Sequence, residues 1–355
     1  MDIDHALVLA IEKHVSASGV TGSDKVRGAI VAFLHHYMSL CYSSKPGVSF
    51  VARSTIPIGA GLGSSAAYST CVSSALLLLV KKISIERTHH ATHISHDGRR
   101  YISQDIASTV NGWSFISEKI LHGTPSGIDN SVSVYGGAIS YSRVRDEPMV
   151  NLNAFKSMRL LLTNSNVERD AKKLIAGVHA FKASNEAKFG QCMKTIQDIV
   201  DEAMRCFEDG DLSRDVLLEG LMKLVQENQK QLDTLGVSHP ALEIIISKLS
   251  AYNLKTKLTG AGGGGCTVTL LPDSLSSEDI DGVANNLQSN GFSPYVTTVG
   301  GSGFGYLLEQ SQQGMRTQDS EAQESVGPFA DVFDKQYPHT NLAEKLRECG
   351  KWVFV

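Results

Sequence analysis

The glycine-rich segment Pro57–Ala67, P-I-G-A-G-L-G-S-S-A-A, constrains the fold of this chain more than any other feature. Its alternating glycines can take positive φ and let a bulky ligand approach bare backbone. Ser64 is predicted to cap the long apolar helix that follows. Because the first N–H groups of a helix are unpaired and lie at the positive end of its dipole, this corner is predicted to bind phosphate. A plain strand-to-helix turn is the alternative, and no Gly-Lys-Ser/Thr of a Walker A loop follows.

Two carboxylates form a second candidate feature. The turn-rich segment His122–Asn130, H-G-T-P-S-G-I-D-N, is predicted to present Asp129 just before a strand. A carboxylate held there can accept a proton from a substrate hydroxyl, although an Asx-type turn is the other interpretation. Glu118 lies earlier, on a predicted helix, where taken alone it indicates a solvated side chain. Ser64 and Ser65 add hydroxyls, one of which could bind a phosphate-bound Mg²⁺.

The segment Gly260–Gly265, G-A-G-G-G-G, lies between two predicted strands. Each glycine held in regular structure costs roughly 1 kcal/mol relative to alanine, so the run does not help a core to pack. We therefore predict a tight turn in which a ligand or a partner meets bare backbone, in preference to a flexible loop between strands.

Composition excludes several classes of protein. The chain has 355 residues, 42% of them hydrophobic and 20% charged, which suits roughly two packed domains. Its net charge of -4 lacks the basic excess of a nucleic-acid binder. The longest apolar run, Ala75–Val80, is far shorter than the ~18 residues of a membrane span, and the acidic start does not resemble a signal peptide. Six scattered cysteines without a C-x-x-C pair are typical of reduced thiols in a cytoplasmic protein.

The order of the predicted elements indicates a mixed α+β protein whose two domains meet near residues 155–165. Helices are predicted within the first 46 residues and over 64–82, 103–121, 169–235, 240–252 and 342–355, and strands over 48–56, 131–142, 158–163, 254–258 and 267–271. Residues 310–327 are polar and are predicted to form a linker. His89, His93 and His96 have metal-ligand spacing on a helix, but a solvated surface segment is the favoured interpretation.

Taken together, the three segments resemble the GHMP kinase superfamily and, within it, the mevalonate kinase family. They match that family in sequence and in order, and the likeness spans about residues 25–307. The resemblance implies an α+β fold with two domains. The first, over residues 1–157, would be of the ribosomal protein S5 domain 2-like type, and the second, over residues 158–309, would be ferredoxin-like. Residues 310–355 would form a polar linker and a C-terminal tail.

The resemblance also implies a reaction, the transfer of the γ-phosphate of ATP to the 5-hydroxyl of mevalonate in isoprenoid and sterol synthesis. It makes Asp129 the catalytic base, places Mg²⁺ on Ser65 (or its neighbour Ser64) and Glu118, and directs Arg169 at the substrate carboxylate. The implied ATP-binding residues are Pro57, Gly59, Ala60, Gly61, Leu62, Gly63, Ser64, Ser65 and Ala66. The implied substrate-binding loop contributes Gly260, Ala261, Gly262 and Gly263, and would help to close the cleft.

Two departures from the family pattern affect these expectations. The family begins with a strand K-x-x-L-x-G-E-H, whose lysine pairs with the catalytic aspartate, whereas this chain has only Lys13-His14 without the glycine. We therefore expect an incomplete N-terminal domain with an unpaired sheet edge, as in a truncated or spliced form or a domain that has lost catalysis. The family segment V-P-R-x-T reads V-E-R-D-A here, so that Glu168 and Ala171 replace its proline and threonine.

Two alternative functions stay open at the level of the sequence. The first is another GHMP kinase, acting on phosphomevalonate or on a sugar, since an arginine serves a carboxylate and a phosphate equally well. The second is a nucleotide-binding pseudokinase or regulatory partner, which the absent lysine segment favours. The resemblance implies a possible homodimer, and neither a nucleic-acid nor a membrane partner is expected.

Overall fold

The computed structural model describes residues 2–43, 45–54, 56, 61–84, 102–142, 149–152, 155–167, 171–309 and 350–354. The helices are α1 (His5–Ala17), α2 (Asp24–Leu40), α3 (Ser64–Leu79), α4 (Gln104–His122), α5 (Ile128–Tyr135), α6 (Ala171–Ser184), α7 (Glu186–Glu208), α8 (Arg214–Thr234), α9 (Pro240–Ser250) and α10 (Ser277–Ser289). The strands are β1 (Ile139–Tyr141), β2 (Met149–Asn151), β3 (Met158–Asn164), β4 (Thr256–Leu258), β5 (Cys266–Leu270), β6 (Ser293–Val299), β7 (Gly305–Glu309) and β8 (Gly350–Phe354). This mixture confirms the predicted α+β class.

The chain divides into two compact units. One unit comprises Met1–Pro57, Gly63–Gly136 and Ser302–Val355, and the other comprises Ile58–Leu62 and Gly137–Gly301. The domain boundaries predicted at residues 157/158 and 309/310 stay a prediction. Within the described residues, no helix is both long and apolar enough to cross a bilayer. The cysteines in the described part of the chain are free thiols.

The core of the first unit is built around α3 and α4. Helix α3 is apolar on most sides, and Val72, Leu76 and Leu77 are buried in one cluster with Val110 of α4 and Val134 of α5. The last two leucines of the helix are exposed, so α3 is only partly enclosed by other elements. This packing holds the N-terminus of α3 and the C-terminal half of α4 in one unit.

The largest sheet of the second unit has the strand order β4-β5-β3-β6, and every neighbouring pair is antiparallel. Numbered along the chain from β3, this order reads second, third, first, fourth, which is the arrangement of a ferredoxin-like β-α-β-β-α-β unit. Helices α6 to α9 connect the first strand to the second, and α10 connects the third to the fourth. The ferredoxin-like prediction is therefore confirmed.

Three predictions of local structure are wrong. Within residues 48–56, the described positions form no strand, because none of the strands in the described part of the chain pairs with them. Residues 131–135 belong to helix α5 instead of a strand. Residues 350–354, predicted as part of a terminal helix and tail, form β8 and pair with β7. The predicted linker at 310–327 and the histidines at 89–96 lie outside the described residues.

A buried pair of histidines on α2 lies inside the first unit. The ring of His36 is fully buried and its Nε2 lies 2.9 Å from the carbonyl oxygen of Trp113. Burial is the main cause that lowers the pKa of His36 to about 4, and it also lowers the pKa of His35. Asp4 partly offsets the effect at His35. Neither ring nitrogen of His35, nor Nδ1 of His36, has a hydrogen-bond partner among the described residues.

We expect acid to destabilise this unit through His36. The folded state binds the His36 proton less tightly than the unfolded chain, so the free energy of unfolding falls as pH drops below the ordinary pKa of 6.5. The fall continues to the folded pKa of about 4 and amounts to about 3 kcal/mol for this single site. Urea unfolding at pH 7 and pH 5 measures about 2 kcal/mol of this fall. His36→Gln, which keeps an N–H donor for Trp113 but does not titrate, should flatten the dependence, whereas the exposed His14→Gln should not. An unchanged slope in His36→Gln would contradict the assignment.

Candidate active site

The first predicted site element is the N-terminus of α3. Gly61 and Gly63 both have positive φ, 79° and 73°, and Gly63 serves as the N-cap in the left-handed conformation. The predicted N-cap role of Ser64 is wrong, because the helix begins at Ser64 itself. The first intrahelical bond runs from the Ala67 N–H to the Gly63 carbonyl, at 3.0 Å. The preceding amides are therefore free of helical partners and available to an anion.

The predicted ATP-binding segment is only partly described. Gly61, Leu62 and Gly63 form the bend before α3, and Ser64, Ser65 and Ala66 form its first turn. Pro57, Gly59 and Ala60 lie outside the described residues, as does Arg169.

Glu118 is a buried carboxylate on α4 that faces α3. Its side chain is only 4% exposed. Its Oε1 accepts a hydrogen bond from the Ser69 hydroxyl at 3.0 Å, and its Oε2 accepts one from the Ser65 hydroxyl at 3.3 Å. Burial is the main cause that raises the pKa of Glu118, while these two hydroxyls and His122 oppose the rise. The prediction of a solvated Glu118 side chain is therefore wrong, because the structure buries this residue.

Glu118 and Asp129 line one cavity of the first unit. The cavity has a volume of about 200 Å³, and its walls are Glu118, His122, Pro125, Ser126, Gly127, Asp129 and Asn130. The charge of Asp129 contributes to the raised pKa of Glu118, as expected for two carboxylates that share a cavity. The structure therefore brings together Ser65, Glu118 and Asp129, which the sequence places in separate segments.

Asp129 is carried by the first turn of α5. It was predicted to lie just before a strand, but Gly127, with φ of 84°, begins a short helix instead. The carboxylate of Asp129 is exposed to solvent. The next residue, Asn130, is buried, and its Nδ2 donates to Asn111 Oδ1 on α4 at 2.6 Å. This bond fixes the start of α5 against α4 and so sets the position of Asp129.

No lysine or arginine in the described ranges forms an ion pair with Asp129 or with Glu118. Lys13, which resembles the family lysine only in being followed by a histidine, lies on the exposed face of α1. Among the described residues, the ion-pair contact of the buried Glu118 carboxylate is with His122, whose Nε2 lies 3.8 Å from Oε2. Ser65 and Glu118 offer oxygen ligands only, which suits Mg²⁺. The described side chains contain no group of three or more His, Cys, Asp and Glu that could hold a metal, but Mg²⁺ needs only one or two carboxylates when phosphates complete its shell.

The Gly260–Gly265 loop, in the second unit, connects β4 to β5. All five of its glycines have positive φ. The loop is held by this chain's own backbone, since the Gly263 N–H donates to the Val237 carbonyl at 2.8 Å and the Gly265 N–H donates to the Val167 carbonyl at 3.1 Å. A Cβ on Gly262 would lie 2.0 Å from the Val237 oxygen. Its predicted role in substrate binding, with Ala261 beside these glycines, stays a prediction.

Sequence reasoning gave no role to three residues of this site. Ser69 follows Ser65 by four positions, and His122 follows Glu118 by four, so each pair shares one face of its helix. This spacing of four residues could have identified Ser69 and His122 from the sequence. Asn130 gives no such signal, because its contact with Asn111 depends on how α5 packs against α4.

Family models match both parts of the chain. The model described as GHMP kinases N terminal domain matches residues 24–137, which include α3, α4 and all of the cavity walls. The model described as GHMP kinases C terminal matches residues 214–293, which include the Gly260–Gly265 loop.

Similar proteins agree with these models. The mevalonate kinase of Candida albicans is 36% identical over 92% of this chain and 74% of its own length. The mevalonate kinase of Homo sapiens is 34% identical over 82% of this chain and 73% of its own length. The crystal structure of L. major mevalonate kinase in complex with R-mevalonate matches with a TM-score of 0.56 and 23% identity, covering 77% of this chain and 78% of that one, which supports the fold alone. The chain therefore belongs to the GHMP kinases, a superfamily of ATP-dependent small-molecule kinases, and within it to the mevalonate kinase family.

Proposed function

We propose that this protein transfers the γ-phosphoryl group of ATP to the 5-hydroxyl of mevalonate, with Mg²⁺ as its metal ion. The observation that carries the proposal is the shared cavity, where a buried Glu118 bonded to Ser65 lies beside the exposed carboxylate of Asp129. Relatives named mevalonate kinase, similar over most of the chain, supply the identity of the acceptor.

The first turn of α3 would hold the phosphates of ATP. Its free amides and its dipole favour negative charge, and the bend at Gly61–Gly63 leaves the backbone bare. Phosphoryl transfer depends chiefly on in-line positioning and on neutralised charge, so this corner supplies what the nucleotide requires.

Asp129 would accept the proton of the acceptor hydroxyl. The carboxylate is exposed and points from the first turn of α5, which the Asn111–Asn130 bond holds in place. A carboxylate oxygen within reach of the acceptor hydroxyl can take up its proton. As Asp129 takes the proton, the alcohol oxygen forms a bond to the terminal phosphorus, the bond from that phosphorus to the bridging oxygen breaks, and ADP leaves.

Ser65 and Glu118 would hold Mg²⁺. A buried carboxylate with no lysine or arginine partner among the described residues is costly unless a cation joins it, and these oxygens fit a hard divalent ion. When bound, the ion neutralises charge on the β- and γ-phosphates. Arg169 would meet the mevalonate carboxylate, and the Gly260–Gly265 loop would lie against bound substrate.

We expect release of ADP from ATP when mevalonate is the acceptor and Mg²⁺ is present. A coupled assay with the purified chain would compare mevalonate with phosphomevalonate, galactose and homoserine, and phosphorus NMR would identify the product as the 5-phosphate. Turnover with another acceptor, but none with mevalonate, would assign a different GHMP kinase activity.

A non-catalytic outcome has a distinct signature. The absence of a cation paired with Asp129 in the described residues favours a nucleotide-binding regulatory protein as the second candidate. Calorimetry that detects ATP binding, together with no ADP release for any acceptor, would support it and would overturn the kinase proposal.

Assembly and location form part of the proposal. We propose a cytoplasmic protein that acts on a small molecule without a nucleic-acid or membrane partner and that can form a homodimer. Light scattering after size-exclusion chromatography would measure the molar mass, and a value near the monomer mass of 38.3 kDa would contradict the dimer.

A further inference from the structure

His122, at the last position of α4, contacts the proposed metal ligand Ser65. Its Nε2 lies 3.0 Å from the Ser65 Oγ and 3.8 Å from Glu118 Oε2. The side chain is 53% exposed, and His122 is one of the walls of the cavity. A half-exposed ring contributes little to a core, so its placement calls for an explanation other than packing.

The direction of each hydrogen bond follows from the chemistry of the groups. An ionised carboxylate only accepts, so the Ser65 hydroxyl donates its one proton to Glu118 Oε2. Ser65 then has no proton left for His122, and the Nε2–H of His122 must be the donor in the 3.0 Å contact. Both the neutral ring with its proton on Nε2 and the imidazolium satisfy this requirement.

These two bonds settle the orientation of the Ser65 hydroxyl. A serine oxygen has two lone pairs, and the bond from His122 occupies one of them. The second lone pair is left to face away from both partners. Because the hydroxyl proton is held by Glu118 and one lone pair by His122, the remaining lone pair cannot swing to another direction without breaking a bond.

We propose that His122 is a positioning residue that directs the free lone pair of Ser65 toward the Mg²⁺ of bound Mg·ATP. The inference rests on the proposed function, since it needs ATP and the ion at this corner. It assigns His122 an effect on Mg²⁺-dependent nucleotide affinity through Ser65, without contact to the reacting atoms.

The test compares two variants at one position. His122→Gln keeps an N–H donor at a similar reach, whereas His122→Leu keeps the bulk and removes the donor. Net loss of one such bond corresponds to about two- to tenfold in affinity. We expect His122→Leu to weaken Mg·ATP binding in calorimetry by about that factor, and His122→Gln to stay within about twofold of the original chain. ATP binding without Mg²⁺ should be the same in both, and the KM for mevalonate should not change.

A double-mutant cycle with Ser65→Ala separates this role from general damage. If His122 acts through Ser65, then His122→Leu has no further effect in the Ser65→Ala background. His14→Leu, an exposed histidine on α1, serves as the matched control and should bind Mg·ATP normally. Thermal unfolding of each variant checks that the fold is retained.

Several outcomes would overturn the inference. They are unchanged Mg·ATP affinity in His122→Leu, equal losses in the Gln and Leu variants, or an additive loss in the Ser65→Ala background. In each of these cases the unaltered chain still binds Mg·ATP and phosphorylates mevalonate, so the proposed function survives. If the unaltered chain binds no ATP, the proposed function fails and the role of His122 fails with it.

Discussion

Replacing Asp129 by asparagine is expected to lower kcat for mevalonate phosphorylation by about 10²–10⁴-fold, the usual contribution of a positioned general base. The amide has the shape of the carboxylate but cannot accept the hydroxyl proton. Asp129 makes no ion pair within the described residues, and its side chain is exposed, so its loss should leave the fold intact.

Nucleotide binding should survive the same change. The charge of Asp129 is one of the causes that raise the pKa of Glu118, after burial. Removing that charge favours ionised Glu118, which is the form that can bind a cation. We therefore expect the dissociation constant of Mg·ATP, measured by calorimetry, to stay the same or to fall.

The matched control is Asp105→Asn, which removes an exposed aspartate from the first turn of α4. Both changes take one negative charge from a helix N-terminus, so any effect of the helix dipole is common to them. Only Asp129→Asn should lose turnover. Retained phosphorylation in that variant, at the rate of the control, would remove Asp129 from the base role.

Elements with a strong and continuous pattern were predictable from the sequence. Helix α3 follows from the apolar run at its C-terminal end and α4 from its helical period, and the ferredoxin-like sheet follows from the family resemblance. These elements satisfy their hydrogen bonds or bury their apolar faces in ways that local sequence already indicates.

Helix α5 shows why other elements were not predictable. Its sequence alternates Ser131, Val132, Ser133 and Val134, which has the period of a strand. The structure makes it a single short helix because Gly127 permits a left-handed start and Val134 is buried against α3 and α4. Tertiary packing outweighs the β-branched pattern here, and the local sequence pattern does not predict that packing.

The candidate site also combines features that the sequence predicts with contacts that depend on tertiary packing. Glycines and serines at the start of α3 predict an anion site from sequence alone. The bonds of Ser65 and Ser69 to Glu118 depend on how two helices lie against each other, so spacing indicates only which side chains share a face. The sequence can therefore identify candidate site residues, but only the packing of the two helices brings them together.

Gly262 distinguishes two explanations for the bare backbone of the Gly260–Gly265 loop. If the glycines exist only to admit a ligand, an alanine there would raise KM without affecting stability. The structure favours the other explanation, because a Cβ at Gly262 would lie 2.0 Å from the Val237 carbonyl oxygen, and φ at this position is +80°. The loop is thus bare because it packs against its own chain.

We expect Gly262→Ala to lower the free energy of unfolding by about 3 kcal/mol in the absence of any ligand. Left-handed backbone costs alanine roughly 1–2 kcal/mol, and the clash displaces the Gly263–Val237 hydrogen bond, worth about 1 kcal/mol. Urea unfolding would measure the loss. Gly282→Ala is the control, since this exposed glycine of α10 has open space around its missing Cβ and should gain up to about 1 kcal/mol. Equal stability of Gly262→Ala and the unaltered chain, with a raised KM, would instead assign the bare backbone to ligand binding.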